Sequence, residues 1–272
     1  MVTSLPLPGG ASIPAIGFGV YKVDDDAAET AVGLALDAGY RHVDTAEMYG
    51  NETGVGKAIR ASRLDRDDVF VTTKVWNDHQ GRDATLRAFD ASLSRLGLEA
   101  VDLYLIHWPA AANDRYVETW RTLLELRASD RARNVGVSNF QIPHLQRLID
   151  ETGEVPAVNQ VERHPWLPQD ELIAFHRAHG IVTEAWSPLG RGRLIDDPVL
   201  TGIADAHGVN VAQLLVRWNV QQGVVVLPKS GTPSRIRSNL DVDGFTLTAD
   251  ELTAIASLES GQRTGSHPDS VS

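Results

Sequence analysis

The chain has 272 residues, 42% of them hydrophobic and 22% charged, with 36 acidic against 25 basic side chains and no cysteine. A net charge of -11 opposes attachment to a nucleic-acid backbone or an anionic membrane, and the lack of cysteine excludes disulfides, thiolate metal sites and thiol catalysis. This length suits one α/β barrel or two small domains, either with a sizeable buried core.

The first twenty residues lack a basic start followed by an unbroken apolar run, so no secretory signal is expected. No apolar run approaches membrane-spanning length, and the expected location is the cytoplasm. Residues 5–13, centred on Pro8-Gly9-Gly10, are predicted to form a hairpin within residues 1–15 that plugs the bottom of a barrel. Beyond it, β-rich runs at 16–19, 40–43, 69–74, 101–106, 133–137, 157–161, 181–186 and 224–227 alternate with amphipathic stretches. Those stretches include 26–38, 51–61, 82–96, 116–127, 142–151 and 169–179. Several open on Asp or Asn suited to capping, and Gly39, Gly97, Gly153 and Gly180 stand where helices should stop.

Eight such alternations predict a single (β/α)8 TIM barrel over residues 1–272, with 259–272 as an irregular tail. A doubly wound sheet is the alternative. Against it, the first βα turn carries no G-x-G-x-x-G and no composition shift divides the chain.

In a parallel barrel the reacting groups come from the C-terminal strand ends, where the loops converge on one mouth. Asp44 follows strand two, Lys74 ends strand three, His107 ends strand four, Ser138 and Asn139 end strand five, Gln160 sits in strand six, and Lys229 follows strand eight. Taken singly, each has an ordinary reading: Asp44 and Lys74 as a structural ion pair, His107 as a core histidine, Tyr49 as a loop aromatic. Their meeting at one mouth points instead to proton donation to a carbonyl. The expectation is that the Lys74 ammonium lowers the pKa of Tyr49, Asp44 orients Lys74, and His107 donates a hydrogen bond to the substrate oxygen. A side chain cannot deliver hydride, so a nicotinamide cofactor is implied.

Lys229, Ser230, Arg235 and Arg237 form a local basic cluster beside a helix start, suited to a phosphate. A 2′-phosphate there would select NADPH, with NADH weaker. Trp186 offers a flat face for the nicotinamide ring, and Tyr21, Trp76 and Trp108 are expected to line the substrate mouth. Two further patterns carry ordinary readings. Gly54-Val55-Gly56-Lys57 imitates a phosphate loop but is followed by Ala58, so it is read as the start of a helix. His176 and His179 lie one turn apart without a third ligand, so they are read as a solvated face and no metal is expected.

The chain resembles an aldo-keto reductase across nearly its whole length. The carriers are residues 39–52 (GYRHVDTAEMYGNE), 71–76 (VTTKVW), 101–109 (VDLYLIHWP), 136–140 (GVSNF) and 159–162 (NQVE), together with Pro228-Lys229-Ser230, Arg235 and Asn239. The resemblance implies a catalytic tetrad of Tyr49, Lys74, Asp44 and His107. It implies nicotinamide contacts from Ser138, Asn139 and Gln160, and an adenosine-phosphate site at Lys229, Ser230, Arg235 and Asn239. Within the family the chain is most similar to the prokaryotic 2,5-diketo-D-gluconic acid reductases. They share the Trp of residues 185–190 (AWSPLG), a segment that brings Trp186, Ser187 and Leu189 to the cofactor, and the Ser266-His267-Pro268-Asp269 ending. Trp166 stands where a Tyr is commoner and Tyr21 where many relatives have a Trp. The implied function is NADPH-dependent reduction of aldehydes, ketones or keto sugars, with a small-molecule carbonyl as partner and a monomer expected. Two rivals are a barrel glycoside hydrolase using Glu162 and Glu184 on adjacent strands, and a nucleotide-sensing regulatory subunit with little turnover.

Overall fold

Antiparallel pairing of β1 (Ser4–Pro6) with β2 (Ser12–Pro14) forms the expected hairpin, in a computed structural model that describes residues 4–272; residues 1–3 of the hairpin segment lie outside the described residues. Eight parallel strands follow: β3 (Phe18–Gly19), β4 (His42–Asp44), β5 (Phe70–Val75), β6 (Val101–Ile106), β7 (Ala132–Ser138), β8 (Val158–Glu162), β9 (Val182–Trp186) and β10 (Val225–Val226). Each pairs with the next in chain order. The ring closes where Ile16 lies parallel to Val226, the Gly17 amide donates to the Val226 carbonyl at 2.9 Å, and the Val226 amide donates to Ala15 at 2.9 Å.

Side chains alternate across each strand, so one set faces the helices and the other fills the barrel. On β5 and β6 the outward set is Val71, Val75, Tyr104 and Ile106, in the large core shared with the surrounding helices. The inward set at the lower end is Phe70, Leu103, Leu105, Val158 and Val225, and Leu7 and Ile13 of the hairpin pack onto it. The hairpin therefore floors the barrel, as its apolar positions predict. Burying each such Leu, Ile or Phe contributes about 1.5–3 kcal/mol. Higher up, the inward positions turn polar: His42, Asp44, Thr72, Lys74, Gln160 and Glu184 are all at most 3% exposed.

The outer layer consists of α1 (Asp25–Ala38), α2 (Glu52–Ala61), α3 (Arg82–Leu96), α4 (Tyr116–Ala128), α5 (Ile142–Thr152), α6 (Asp170–His179), α7 (Pro198–Ala206), α8 (Val211–Gln221), α9 (Pro233–Ser238) and α10 (Ala249–Ala256). Gly39, Gly97, Gly153 and Gly180 end four of them in the left-handed conformation. No single helix among the described residues is long and apolar enough to cross a membrane. Helices α7, α8 and α10 enclose a satellite core of Leu200, Leu214, Leu215, Trp218 and Ile255 beside the main one.

Two local expectations are corrected, and a third, that residues 54–57 open a helix, holds. Asn51 makes no side-chain cap for α2. It is fully buried, accepts from the Thr45 hydroxyl at 2.7 Å, and donates to the carbonyls of Val20 and Val23. His176 is not on a solvated face: burial is complete, with Asn159 at 2.9 Å and Thr183 at 2.8 Å from its ring nitrogens. Gly54 and Gly56 are glycines for packing, since a Cβ would fall 2.0 Å from the Asp25 carbonyl oxygen and 2.0 Å from that of Leu96.

Candidate active site

Asp44 and Lys74 project inward from neighbouring strands near the C-terminal mouth, where alternation and register bring them together. Lys74 Nζ lies 2.8 Å from each Asp44 carboxylate oxygen and 2.8 Å from the Thr45 carbonyl oxygen. An ammonium has three hydrogens, and these partners occupy all of them. Tyr49 stands on a single helical turn (Glu47–Tyr49) after β4, and the Lys74 ammonium sits 5.2 Å from the centre of its ring. The His107 ring meets Tyr49 edge-on at 5.6 Å and Trp76 at 5.1 Å. Tyr21 packs on the other side of Tyr49, with ring centres 5.1 Å apart.

The electrostatics differ from the expectation in one respect. Burial of Tyr49, reinforced by Asp44, Tyr21 and Glu184, holds its phenol well above the ordinary value instead of lowering it. Burial is the largest cause, and the Lys74 charge, held against Asp44 and the Thr45 carbonyl, does not offset it. Burial, then the neighbouring Lys74 charge, push His107 well below its usual value, so the imidazole is neutral with a single N–H. Its Nδ1 has no hydrogen-bond partner among the described residues.

The next ring of polar groups is continuous with the first. Gln160 donates to Asp44 at 2.8 Å and to Glu184 at 2.6 Å. Asn139 donates to the His107 carbonyl at 2.9 Å and to the Ser138 hydroxyl at 3.1 Å, while Trp186 donates its indole N–H to Asn139 at 2.8 Å. Ser138 donates to the Gln160 carbonyl at 2.9 Å. Asn139 and Ser187 adopt positive φ, of 65° and 50°, which aims both βα turns at the mouth. Trp186, Ser187 and Leu189 remain partly exposed there.

The basic cluster stands at the end of β10. Lys229 and Arg235 are exposed, Ser230 accepts from the Thr232 amide at 3.1 Å, and Lys229, Arg235 and Arg237 make no ion pair among the described residues. The Oδ1 of Asn239 is buried with no hydrogen-bond partner. Three unneutralised cations and an orphaned acceptor are what a phosphorylated nucleotide would satisfy. Trp76 and Trp108 are half-buried at the mouth and Tyr21 is exposed. Met48, next to Tyr49 in the chain, is also exposed.

Glu162, one of the two carboxylates that a glycoside hydrolase would use, has a different occupation. Its Oε1 accepts from the Thr264 amide and hydroxyl, each at 2.6 Å, from the Gly265 amide at 3.2 Å and from His164 at 3.0 Å. Burial pushes its carboxyl up, but the hydrogen bonds from His164 and Thr264 outweigh burial and bring it down to about 2. Glu162 thereby pins the tail across the mouth. Gly265 packs so closely on Trp186 that a Cβ would lie 2.5 Å from the indole edge. The other carboxylate, Glu184, points into the barrel against Gln160. No short-range motif announces the Glu162–Thr264 contact, because its partners are more than 100 residues apart in an irregular segment.

Residues 15–260 match the Aldo/keto reductase family. An aldo-keto reductase of Mycolicibacterium smegmatis is 54% identical over 268 residues, covering 98% of each chain. The methylglyoxal reductase DkgA of Escherichia coli is 46% identical over 269 residues, 98% of this chain and 97% of its own. The crystal structure of a Gox0644 mutant in complex with NADPH matches with a TM-score of 0.96 at 44% identity, covering 100% of this chain and 99% of that one.

Proposed function

The chain belongs to the aldo/keto reductase family, and on that premise we propose that it reduces small aldehydes, α-dicarbonyls, ketones or keto sugars to alcohols with NADPH, Tyr49 acting as proton donor. The observation that carries this reading is the Lys74 ammonium, held by Asp44 at 2.8 Å beneath the Tyr49 ring. When bound, NADPH supplies hydride to the carbonyl carbon. The chain's own residues do the rest. Gln160, Asn139 and Ser138 would hold the nicotinamide carboxamide, with Trp186 against the ring and Ser187 and Leu189 alongside. Lys229, Ser230, Arg235 and Asn239 would take the adenosine phosphate end, which favours NADPH over NADH.

His107, neutral and buried, would donate its N–H to the substrate oxygen as negative charge grows there. Tyr49 stays protonated at neutral pH, which is the state a donor requires. An alkoxide is about as basic as hydroxide, whose conjugate acid has a pKa of about 15.7, so even a phenol with a raised pKa gives up its proton downhill. The fixed Lys74 charge then stabilises the phenolate left behind. The aromatic mouth of Tyr21, Trp76 and Trp108 suits compact carbonyl compounds. The DkgA relative is named a methylglyoxal reductase, which makes methylglyoxal the first substrate to try. The test is NADPH consumption by the purified chain with methylglyoxal and a panel of keto sugars. Turnover with NADPH exceeding that with NADH is expected, and no oxidation of either cofactor with any carbonyl would overturn the reading.

A further inference from the structure

One buried group near the tetrad has no part in this chemistry. Glu184 is fully buried on the inward face of β9, below the mouth. Gln160 faces it from β8, His42 and Asp44 from β4, and Lys74 from β5. The contact with Gln160 is 2.6 Å, whereas His42 stands 3.6 Å away and is held neutral, at about 3, chiefly by burial. The same Gln160 nitrogen donates to Asp44 at 2.8 Å. An amide nitrogen has two hydrogens, Glu184 and Asp44 each take one, and because the Asp44 carboxylate can only accept, the amide cannot turn over without losing the Asp44 bond.

We propose that Glu184 is a positioning residue for the reduction: together with Asp44 it takes both amide hydrogens of Gln160, leaving the Gln160 carbonyl oxygen as the one atom of that amide offered to the cofactor. This rests on the NADPH-dependent reading above. A carboxamide NH2 placed against Gln160 then meets an acceptor with a fixed direction, so part of the ordering cost of binding is met before the cofactor arrives. The same geometry makes the arrangement sensitive to alkali. Burial first, then the Asp44 charge, push the Glu184 carboxyl up to about 8 against the opposing pull of Gln160 and Lys74. At neutral pH Glu184 is therefore an uncharged acid and the inner wall carries the Asp44 charge alone, balanced by Lys74. Ionisation of Glu184 adds a second negative charge that holds the Tyr49 proton more tightly, so proton donation slows.

The experiment compares wild type with Glu184→Gln and Glu184→Leu. In the ligand-free protein, the nitrogen-15 side-chain amide signals of Gln160, assigned by their loss in Gln160→Met, are expected to exchange slowly and to shift with a midpoint near 8. Glu184→Gln should abolish that step and Glu184→Leu should speed exchange. With NADPH alone, Glu184→Leu should raise the NADPH dissociation constant about tenfold, the size expected for a lost buried hydrogen bond. That loss should vanish in a Gln160→Ala background, as it must if Glu184 acts through Gln160. Gln160 signals indifferent to both Glu184 variants, or a Glu184→Leu penalty of equal size with and without Gln160, would overturn the proposal. A wild-type chain that fails to bind NADPH while its Gln160 signals still follow Glu184 would sink the reductase reading and leave the amide lock standing.

Discussion

Glu162 accepts two hydrogen bonds from Thr264, one from its amide and one from its hydroxyl, both at 2.6 Å. This pair fastens the tail to the top of β8 and sets Gly265 against Trp186. Replacing Glu162 with Ala leaves the part-buried Thr264 and Gly265 amides without their acceptor, at a cost of about 0.5–1.5 kcal/mol per hydrogen bond lost where water can take its place. The expected result is cleavage by trypsin after Arg263, next to Thr264, at least about tenfold faster than in wild type. Unchanged cleavage would mean other contacts hold the tail.

Acid should have the same effect. Because the Glu162 carboxyl is held down at about 2, its stabilisation is complete above the ordinary carboxylate range near 4.5 and is lost as pH falls through 2. Trp186 emission, which reports on the packed tail, is expected to change across that window in wild type. In Glu162→Gln, which has nothing to titrate there, it should not.

Glu184 titrates with the opposite sign. Its folded value is raised to about 8, so stability is greatest below about 4.5 and falls as pH rises through 8. The melting temperature of wild type should decline over that interval, and Glu184→Gln should flatten the decline. Parallel curves for the two proteins would place the ionised carboxylate, not the acid, inside the barrel.

Removing the Tyr49 hydroxyl with Tyr49→Phe should lower kcat for carbonyl reduction by about 10²–10⁴, the usual worth of a positioned general acid. Affinity for NADPH should stay within about threefold, since that change removes no charge or phosphate contact. Turnover close to wild type would assign the proton to another donor.

Lys74→Met should be harder on the fold than on the pocket. It strands the Asp44 carboxylate without its cation, and breaking a buried pair from one side costs about 3–5 kcal/mol. The double replacement Lys74→Met, Asp44→Asn should recover much of that stability without recovering activity. Arg235→Ala, on the exposed cluster, should leave melting unchanged and weaken NADPH by about tenfold more than NADH, as expected for a lost charge-assisted bond.

The barrel was legible because its signals are local. The run 101–106 has the bulk and β-branching of a strand buried on both faces, and Gly97 and Gly180 end their helices for reasons contained in a few residues. The meeting of Asp44, Lys74 and His107 at one mouth was legible because alternation and strand ends fix where they must point. Asn51 misled because a capping residue type at a helix start was buried for another purpose. The sign of the Tyr49 shift misled because it depends on how completely the folded barrel buries the phenol, which a residue list does not contain. The tail clamp was hidden for the same reason: Thr264 and Gly265 carry no periodicity, and only the folded barrel brings Glu162 to them.

The seam between Ile16 and Val226 joins stretches far apart in the chain, through strands that are each two residues long on either side. Pairing across so long a stretch of chain with so few ladder bonds predicts that ring closure comes late in folding. Slow amide exchange in β5 and β6 combined with fast exchange at residues 15–19 and 224–228 would identify the seam as the place where the wall first gives way.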